Sequence, residues 1–128
     1  MDRLTYVRLY ADEDGASRFE DGALEMETVD YAPPAPPLKR ATFGAAVDVS
    51  FVYGTKEWGG DIPHPAPFRQ VMCVLDGTFE VEASDGTKRR LDPGGVLLLE
   101  DTSGKGHATR AVTDDALVVT ARLVGSTG

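Results

Sequence analysis

The stretch of sequence that decides the fold spans residues 70–100 and reads QVMCVLDGTFEVEASDGTKRRLDPGGVLLLE. It contains short apolar or alternating segments separated by the turn dipeptides Asp76-Gly77 and Asp85-Gly86. Asp-Gly pairs favour tight turns and hairpins because glycine adopts positive φ at no steric cost. Short segments with a turn roughly every 8 to 12 residues predict an all-β sandwich or barrel.

Strand-like segments continue on both sides of this stretch, and helical periodicity is nearly absent. They are residues 4–10, 44–54, 107–112 and 117–123. In the second of these segments the large apolar residues alternate with smaller or polar ones, and one face carries Val47, Val49, Phe51 and Tyr53. Period-two alternation is typical of a strand with one buried face.

The size of the chain indicates one hydrophobic core. The sequence has 128 residues, of which 41% are hydrophobic. A chain of this length buries roughly two-thirds of its unfolded surface, which suits one core better than two. We therefore expect a single domain over residues 1–128, in which residues 1–43 supply N-terminal strands and a proline-rich connector. Four prolines within 32–37 predict an extended connector.

The charge excludes several classes of partner. The net charge is −8, whereas nucleic-acid binding depends on cations that neutralise phosphates. Docking to an anionic membrane is disfavoured for the same reason. No apolar run approaches the ~20 residues of a membrane span, and the N-terminus lacks the pattern of a signal peptide. The single cysteine, Cys73, cannot form an internal disulfide, so the sequence predicts a cytoplasmic location. From the net charge, we expect a protein that binds neither nucleic acid nor membrane.

Two histidines stand at spacings that resemble the two motifs of the cupin superfamily. His64, Gln70 and Gly77 match the spacing of the first motif. Pro93-Gly94-Gly95 and the apolar run after it resemble the start of the second motif, in which Glu100 takes the position of the proline and a loop about two residues longer leads to His107. Ala66 replaces the second histidine of the first motif and Gln70 replaces its glutamate. The resemblance covers roughly residues 44–124 and implies a jelly-roll cupin barrel.

The resemblance also implies a site. His64, Gln70 and His107 would converge on the cavity and hold a divalent metal ion such as Zn, Fe, Mn or Ni. This set has one ligand fewer than the usual cupin set and lacks its carboxylate. Two alternatives stay open. The histidines could bind or protonate an organic substrate without metal, or they could be hydrogen-bonded wall residues.

Glu100 is a second candidate, because it ends an apolar strand. By alternation, Val96, Leu98 and Glu100 share a face. If that face looks into the barrel, desolvation would raise the pKa of the carboxyl, which suits an acid or base working with His107. Alternatively, Glu100 caps the following turn or pairs with Lys105.

Further residues are predicted to contact a ligand. Trp58 precedes Gly59 and Gly60, so it could form a lid on a glycine hinge or simply close one end of the barrel. Lys105, in a glycine-containing loop, could attract an anion or belong to an ordinary loop. The complete set of predicted ligand-contacting residues is Tyr53, Trp58, Phe68, Met72 and Lys105. Arg69 and Cys73 have the opposite parity and are expected to point away.

These residues favour a small-molecule-binding protein that is a metal-assisted or acid/base enzyme, of the lyase, isomerase or dioxygenase type. A non-catalytic ligand-binding or sensing module is the alternative, because a fold does not determine an activity. The resemblance implies a homodimer. An exposed edge strand gives a physical reason for one, since it tends to pair with another chain.

Overall fold

The computed structural model describes residues 1–58 and 62–125, and in these ranges the chain forms eleven β-strands and no helix. The strands are β1 (Arg3–Ala11), β2 (Ser17–Glu25), β3 (Glu27–Val29), β4 (Leu38–Arg40), β5 (Ala46–Thr55), β6 (Gln70–Asp76), β7 (Phe79–Ala83), β8 (Lys88–Leu91), β9 (Val96–Glu100), β10 (His107–Ala111) and β11 (Asp115–Leu123). Accordingly, no described helix is long and apolar enough to cross a membrane.

The strands build two main sheets whose pairings are nested. One sheet has the order β2-β1-β9-β6-β11-β5 and the other has the order β10-β7-β8. The antiparallel partners, from the outside inward, are β5 with β11, His64 with His107 of β10, β6 with β9, and β7 with β8. A long antiparallel hairpin folded over in this way is a jelly roll. The all-β jelly-roll prediction is confirmed, although the two sheets stay separate among the described residues and do not close a hydrogen-bonded barrel.

The two turn dipeptides have different roles. Asp85-Gly86 closes the hairpin between β7 and β8, as its sequence predicts. Asp76-Gly77 instead leads the chain from the six-stranded sheet to the three-stranded sheet, because β6 and β7 are not paired. The core lies between the two sheets, and its largest fully buried apolar side chains are Leu9, Val74, Val81 and Leu97.

The N-terminal strands extend the six-stranded sheet. β1 pairs in parallel with β9, and β2 pairs with β1. The proline-rich segment does not run straight, because β3 and β4 pair with each other and the Ala35 amide donates to the Ala32 carbonyl over 2.9 Å. The prediction of an extended connector is therefore wrong here. The fixed φ of proline suits a turn as well as an extended chain.

The apolar face of β5 points outward, which corrects an expectation from the sequence. Val52 pairs with the buried Val118, so the face that carries Ser50 and Val52 looks into the molecule. The opposite face carries Phe51 and Tyr53, which are 70% and 61% exposed. The Tyr53 hydroxyl donates a hydrogen bond to Asp115 Oδ2 over 2.7 Å, and this bond raises the pKa of Tyr53. Tyr53 therefore lies outside the cavity that it was predicted to line.

Candidate functional site

A cavity of about 350 Å³ lies between the two sheets. Its walls are largely apolar, with a few polar side chains among them. Cavities of this size and composition bind small organic molecules. The polar lining residues are Ser50, His64, Gln70, His107, Thr109 and Thr120, and the apolar ones include Trp58, Phe68, Met72, Leu97 and Leu99.

The backbone holds the two histidines side by side. The His64 amide donates to the His107 carbonyl over 2.9 Å, and the His107 amide donates back over 3.0 Å. Residues that exchange both backbone hydrogen bonds in an antiparallel pair present their side chains on the same face. Accordingly, the ring centroids of His64 and His107 are 5.3 Å apart, with the ring planes inclined by 53°.

Gly106 makes this pairing possible. Its φ is +72°, and a Cβ atom at this position would overlap the backbone of His64. Glycine both adopts the positive φ without strain and leaves room for the neighbouring chain. The pairing of His64 with His107 therefore depends on the residue that precedes His107.

His107 forms a buried pair with Asp101. Its Nδ1 lies 2.5 Å from Asp101 Oδ2, and the two residues are 3% and 0% exposed. A carboxylate can only accept a hydrogen bond, so His107 Nδ1 carries the hydrogen and donates it. Because Nδ1 is held by Asp101 and His107 also lines the cavity, Nε2 is the ring nitrogen that can contact a ligand. The second Asp101 oxygen, Oδ1, has no hydrogen-bond partner among the described residues.

The sequence did not identify Asp101 as a functional residue, because the inward and outward faces of β9 cannot be distinguished from their side chains. Residues 96–99 are all apolar, so both faces look alike. Register with β6 decides between them, since Met72 pairs with Leu97 and Gln70 pairs with Leu99, and all four line the cavity. The inward row of β9 therefore continues to Asp101.

Glu100 faces the other way, and its predicted role is corrected. Its two carboxylate oxygens accept hydrogen bonds from Arg8 Nε and Arg69 Nε, each over 2.6 Å. Burial alone would raise the pKa of Glu100, but the hydrogen bonds and charges of the two guanidinium groups outweigh burial and lower it. The predicted raised pKa and the predicted inward orientation of Glu100 are both wrong, because the inward-facing side chains of β9 are Leu97 and Leu99.

The remaining predicted residues divide between the cavity and other surfaces. Trp58, Phe68 and Met72 line the cavity that contains the histidines. Trp58 is half-exposed, and the predicted glycine hinge that follows it lies outside the described residues. Lys105 does not line this cavity; it lies in a separate depression together with Glu82.

The donors around the cavity suit a metal ion only in part. His64 and His107 each have Nδ1 engaged, by the Pro65 carbonyl at 3.1 Å and by Asp101, which leaves both Nε2 atoms. Gln70 adds a neutral amide oxygen. No group of three or more His, Cys, Asp or Glu side chains suited to a metal occurs within residues 1–58 and 62–125. Two imidazoles and one amide oxygen offer one imidazole fewer than the three-histidine sites that hold catalytic zinc, so they make a weaker site for a divalent cation.

Neither a scan of protein-family models nor a search of curated proteins finds a match. Among solved structures, the chain is similar to the cupin domain of Cnp3 from Schizosaccharomyces pombe, with 15% identity, a TM-score of 0.45, and coverage of 97% of this chain and 86% of the other. It is also similar to a putative ethanolamine utilization protein Q from Salmonella typhimurium LT2, with 14% identity, a TM-score of 0.42 and coverage of 94% and 95%.

A third similar structure is NovW, a 4-keto-6-deoxy sugar epimerase from the novobiocin biosynthetic gene cluster of Streptomyces spheroides. It shares 14% identity, with a TM-score of 0.44 and coverage of 94% of this chain and 70% of the other. The nested strand pairs, which include the pairing of His64 with His107 on the cavity wall, give this chain the fold of a jelly roll.

Proposed function

We propose that this chain is an enzyme that transfers protons on a small molecule bound between the sheets, with His107 as the acid and base. The observation that carries the proposal is the buried hydrogen bond of 2.5 Å between Asp101 and His107 at the wall of an apolar cavity. A carboxylate behind an imidazole holds the ring in one tautomer and stabilises its protonated form.

The chemistry follows from this arrangement. His107 Nε2 takes a proton from a carbon or oxygen of the substrate, and the Asp101 carboxylate stabilises the imidazolium that forms. His107 then returns the proton to a different atom of the substrate, which is an isomerisation, or to a leaving group, which is an elimination. His64, whose ring centroid is 5.3 Å from that of His107, has Nδ1 directed at the Pro65 carbonyl, so its Nε2 can accept a hydrogen bond from a substrate hydroxyl. A positioned acid or base typically contributes about 10²- to 10⁴-fold to a rate.

A second candidate is a metal-assisted reaction, which is favoured by one observation. Histidines that bind metals usually donate their other ring nitrogen to a carboxylate or carbonyl, as His107 does to Asp101. His64, Gln70 and His107 would hold the ion, which could be Zn, Fe, Mn or Ni. Such an ion would supply Lewis acidity to a substrate oxygen.

Hydrogen–deuterium exchange tests proton transfer without knowledge of the full reaction. The protein in D₂O is incubated with a panel of keto acids, ketones and lactones, and loss of the α-proton signal is followed by NMR. We expect exchange that His107→Ala abolishes while the variant stays folded by circular dichroism, with a lower melting temperature because the buried Asp101 carboxylate loses its partner. Lys105→Met is the matched control, because Lys105 lies in a different depression.

Three outcomes of this experiment differ in meaning. Exchange that survives in His107→Ala would contradict the role of His107. Exchange that a chelator abolishes would favour the metal-assisted reaction. Binding of panel members without exchange or turnover would instead favour a ligand-binding or sensing module.

We also propose that the edge of β5 pairs with β5 of a second copy of the chain. Both ends of the six-stranded sheet are edge strands, and β2 at one end is protected by Arg18, Glu20 and Asp21. Charged side chains on an edge prevent pairing with other chains. The only charged residue of β5 is Asp48, so its edge lacks this protection.

The sequence of β5 is self-complementary. If two copies pair in antiparallel orientation about a twofold axis at Ser50, Val47 faces Tyr53 of the second copy and Val49 faces its Phe51. Apolar side chains then cover one another on the outer face, and Asp48 meets no like charge. This arrangement supports a homodimer. We further propose a cytoplasmic location, because Cys73 is free and the fold uses no disulfide within the described residues.

A further inference from the structure

We propose that Arg122, with Gln70 beside it, forms an anion-binding subsite at the mouth of the cavity, so that the ligand is a small monocarboxylate with an apolar body. This inference rests on the proposed function, because it concerns the ligand of the same cavity. Arg122 was not singled out by the sequence, where it stands near the end of an ordinary strand.

The sheet register places Arg122 next to the cavity lining. On β11, Val118 and Thr120 line the cavity, and Arg122 is the next residue on the same face. Arg122 pairs in register with Gln70 of β6, which also lines the cavity. The arginine therefore occupies the row immediately outside the cavity wall.

A contact with the cavity lining holds the guanidinium in place. Its central carbon lies 4.6 Å from the ring centroid of Phe68, and Phe68 lines the cavity. A guanidinium over an aromatic face is attracted by the ring and keeps its N–H groups free to donate sideways. The contact with Phe68 favours a position of the charge beside the cavity lining while its donors stay available.

Arg122 also lacks an internal counter-ion. Arg8, Arg69 and Arg110 all pair with carboxylates. Arg122 has no ion-pair partner in the part of the chain that the structure describes, even though Asp48 lies opposite it in register on β5. Its guanidinium lies over Phe68 instead.

The chemistry of the site indicates the ligand class. Arginine presents a planar pair of N–H donors that matches a carboxylate, and the Gln70 amide can donate to the same group. One cation and one neutral amide favour a single negative charge over a dianion. The cavity below is walled by Met72, Leu97 and Leu99, which suit an apolar body. With a net charge of −8, the protein repels anions at long range, so an anionic ligand needs such a local cation.

The test compares two ligands that differ only in charge, hexanoate and hexanamide. Binding is followed by Trp58 fluorescence, since Trp58 is the only tryptophan and lines the cavity, and by the NMR signals of His64 and His107. We expect the wild type to bind hexanoate at least about 10-fold more tightly than hexanamide, because hydrogen bonds to charged groups are stronger than those between neutral groups.

Three variants locate the effect. Arg122→Met keeps a side chain that packs on Phe68 but removes the charge, and it is expected to abolish the preference while hexanamide binding stays the same. Arg122→Lys keeps the charge without the planar pair of donors, and its preference should be intermediate. Arg40→Met removes an equal charge from exposed β4 and is expected to behave like the wild type.

The outcomes separate this inference from the proposed function. Equal affinity for both ligands in the wild type, or a preference that survives in Arg122→Met, would overturn the anion subsite and leave the cavity as a binding site. If neither ligand binds and neither shifts Trp58 or the histidine signals, the anion subsite is overturned, whereas the proposed function is decided separately by the exchange experiment in D₂O.

Discussion

Asp101 Oδ2 lies 2.5 Å from Nδ1 of His107, although six positions of chain separate the two residues. Asp101 directly follows β9 of one sheet and His107 begins β10 of the other. The loop between them crosses from one sheet to the other and places the His107 imidazole next to the Asp101 carboxylate. The acid–base pair therefore spans the gap between the sheets.

Replacing Asp101 with Asn is expected to change the tautomer of His107. The amide can place its NH₂ group against Nδ1, which then accepts, and the ring hydrogen moves to Nε2. The ¹⁵N chemical shifts of the imidazole report this directly, and proton-transfer activity should fall by about 10²-fold or more. The signals of His64 serve as an internal control. An unchanged His107 tautomer together with unchanged activity in Asp101→Asn would contradict the role of the carboxylate.

Replacing Gly106 with Ala is expected to destabilise the protein by more than the same change at Gly86. Both glycines have positive φ, +72° and +89°, so both variants carry the backbone cost of about 1–2 kcal/mol. Only at position 106 would the added methyl group also overlap the backbone of His64. Urea unfolding of the two variants measures the difference. Equal decreases in the free energy of unfolding would mean that the overlap with His64 adds no cost to Gly106→Ala.

Glu100→Gln is expected to reduce the free energy of unfolding at pH 7 by about 1–2 kcal/mol, between the values for exposed and buried ion pairs. The folded state lowers the pKa of Glu100 from its ordinary 4.5. A lowered pKa stabilises the fold above the ordinary value, and this contribution disappears as the pH falls below 4.5 through the folded pKa. The difference between wild type and variant should therefore shrink in acid.

The control for Glu100 is Glu25→Gln, which removes a carboxylate from an exposed pair with Arg3. Exposed pairs contribute little, so this variant should unfold almost as the wild type does. Denaturant unfolding between pH 7 and pH 3.5 tests both variants. A loss for Glu100→Gln that stays constant over this range would contradict the pKa argument.

Elemental analysis distinguishes the two candidate chemistries. Two imidazoles and one amide oxygen should hold a divalent ion more weakly than three imidazoles do, so we expect far less than one metal ion per chain in protein purified without a chelating tag. A double variant, His64→Ala with His107→Ala, provides the comparison. About one ion per chain in the wild type that is lost in the double variant would favour the metal-assisted reaction.

Phe51→Lys is expected to convert a dimer into a monomer. Phe51 is 70% exposed at the centre of the unprotected edge strand. A lysine at this position would place a charge beside the apolar Val49 of the second copy. Sedimentation velocity measures the change. Leu38→Lys, at a residue 45% exposed on β4, is the control and should stay dimeric. A wild-type protein that sediments as a monomer would overturn the proposed dimer.

The sequence by itself determined the class of fold and the places of the main strands. Strand segments and turns such as Asp85-Gly86 are local features, because alternation and positive φ are properties of a few neighbouring residues. The resemblance of the region around His64, Gln70 and His107 to the cupin motifs implied that the three residues share a cavity, and all three line the cavity in the structure. Whether they act on a ligand stays a prediction.

Only the tertiary structure decided which face of each strand is inside. On β5 the more apolar face is the outer one, and on β9 the inward row leads to Asp101 instead of Glu100. Side chains alternate with a period of two, so a difference of one residue exchanges the two faces. That choice depends on hydrogen bonds to strands far along the chain, such as the pairing of Met72 with Leu97, and Arg122 acquires its place at the cavity mouth in the same way.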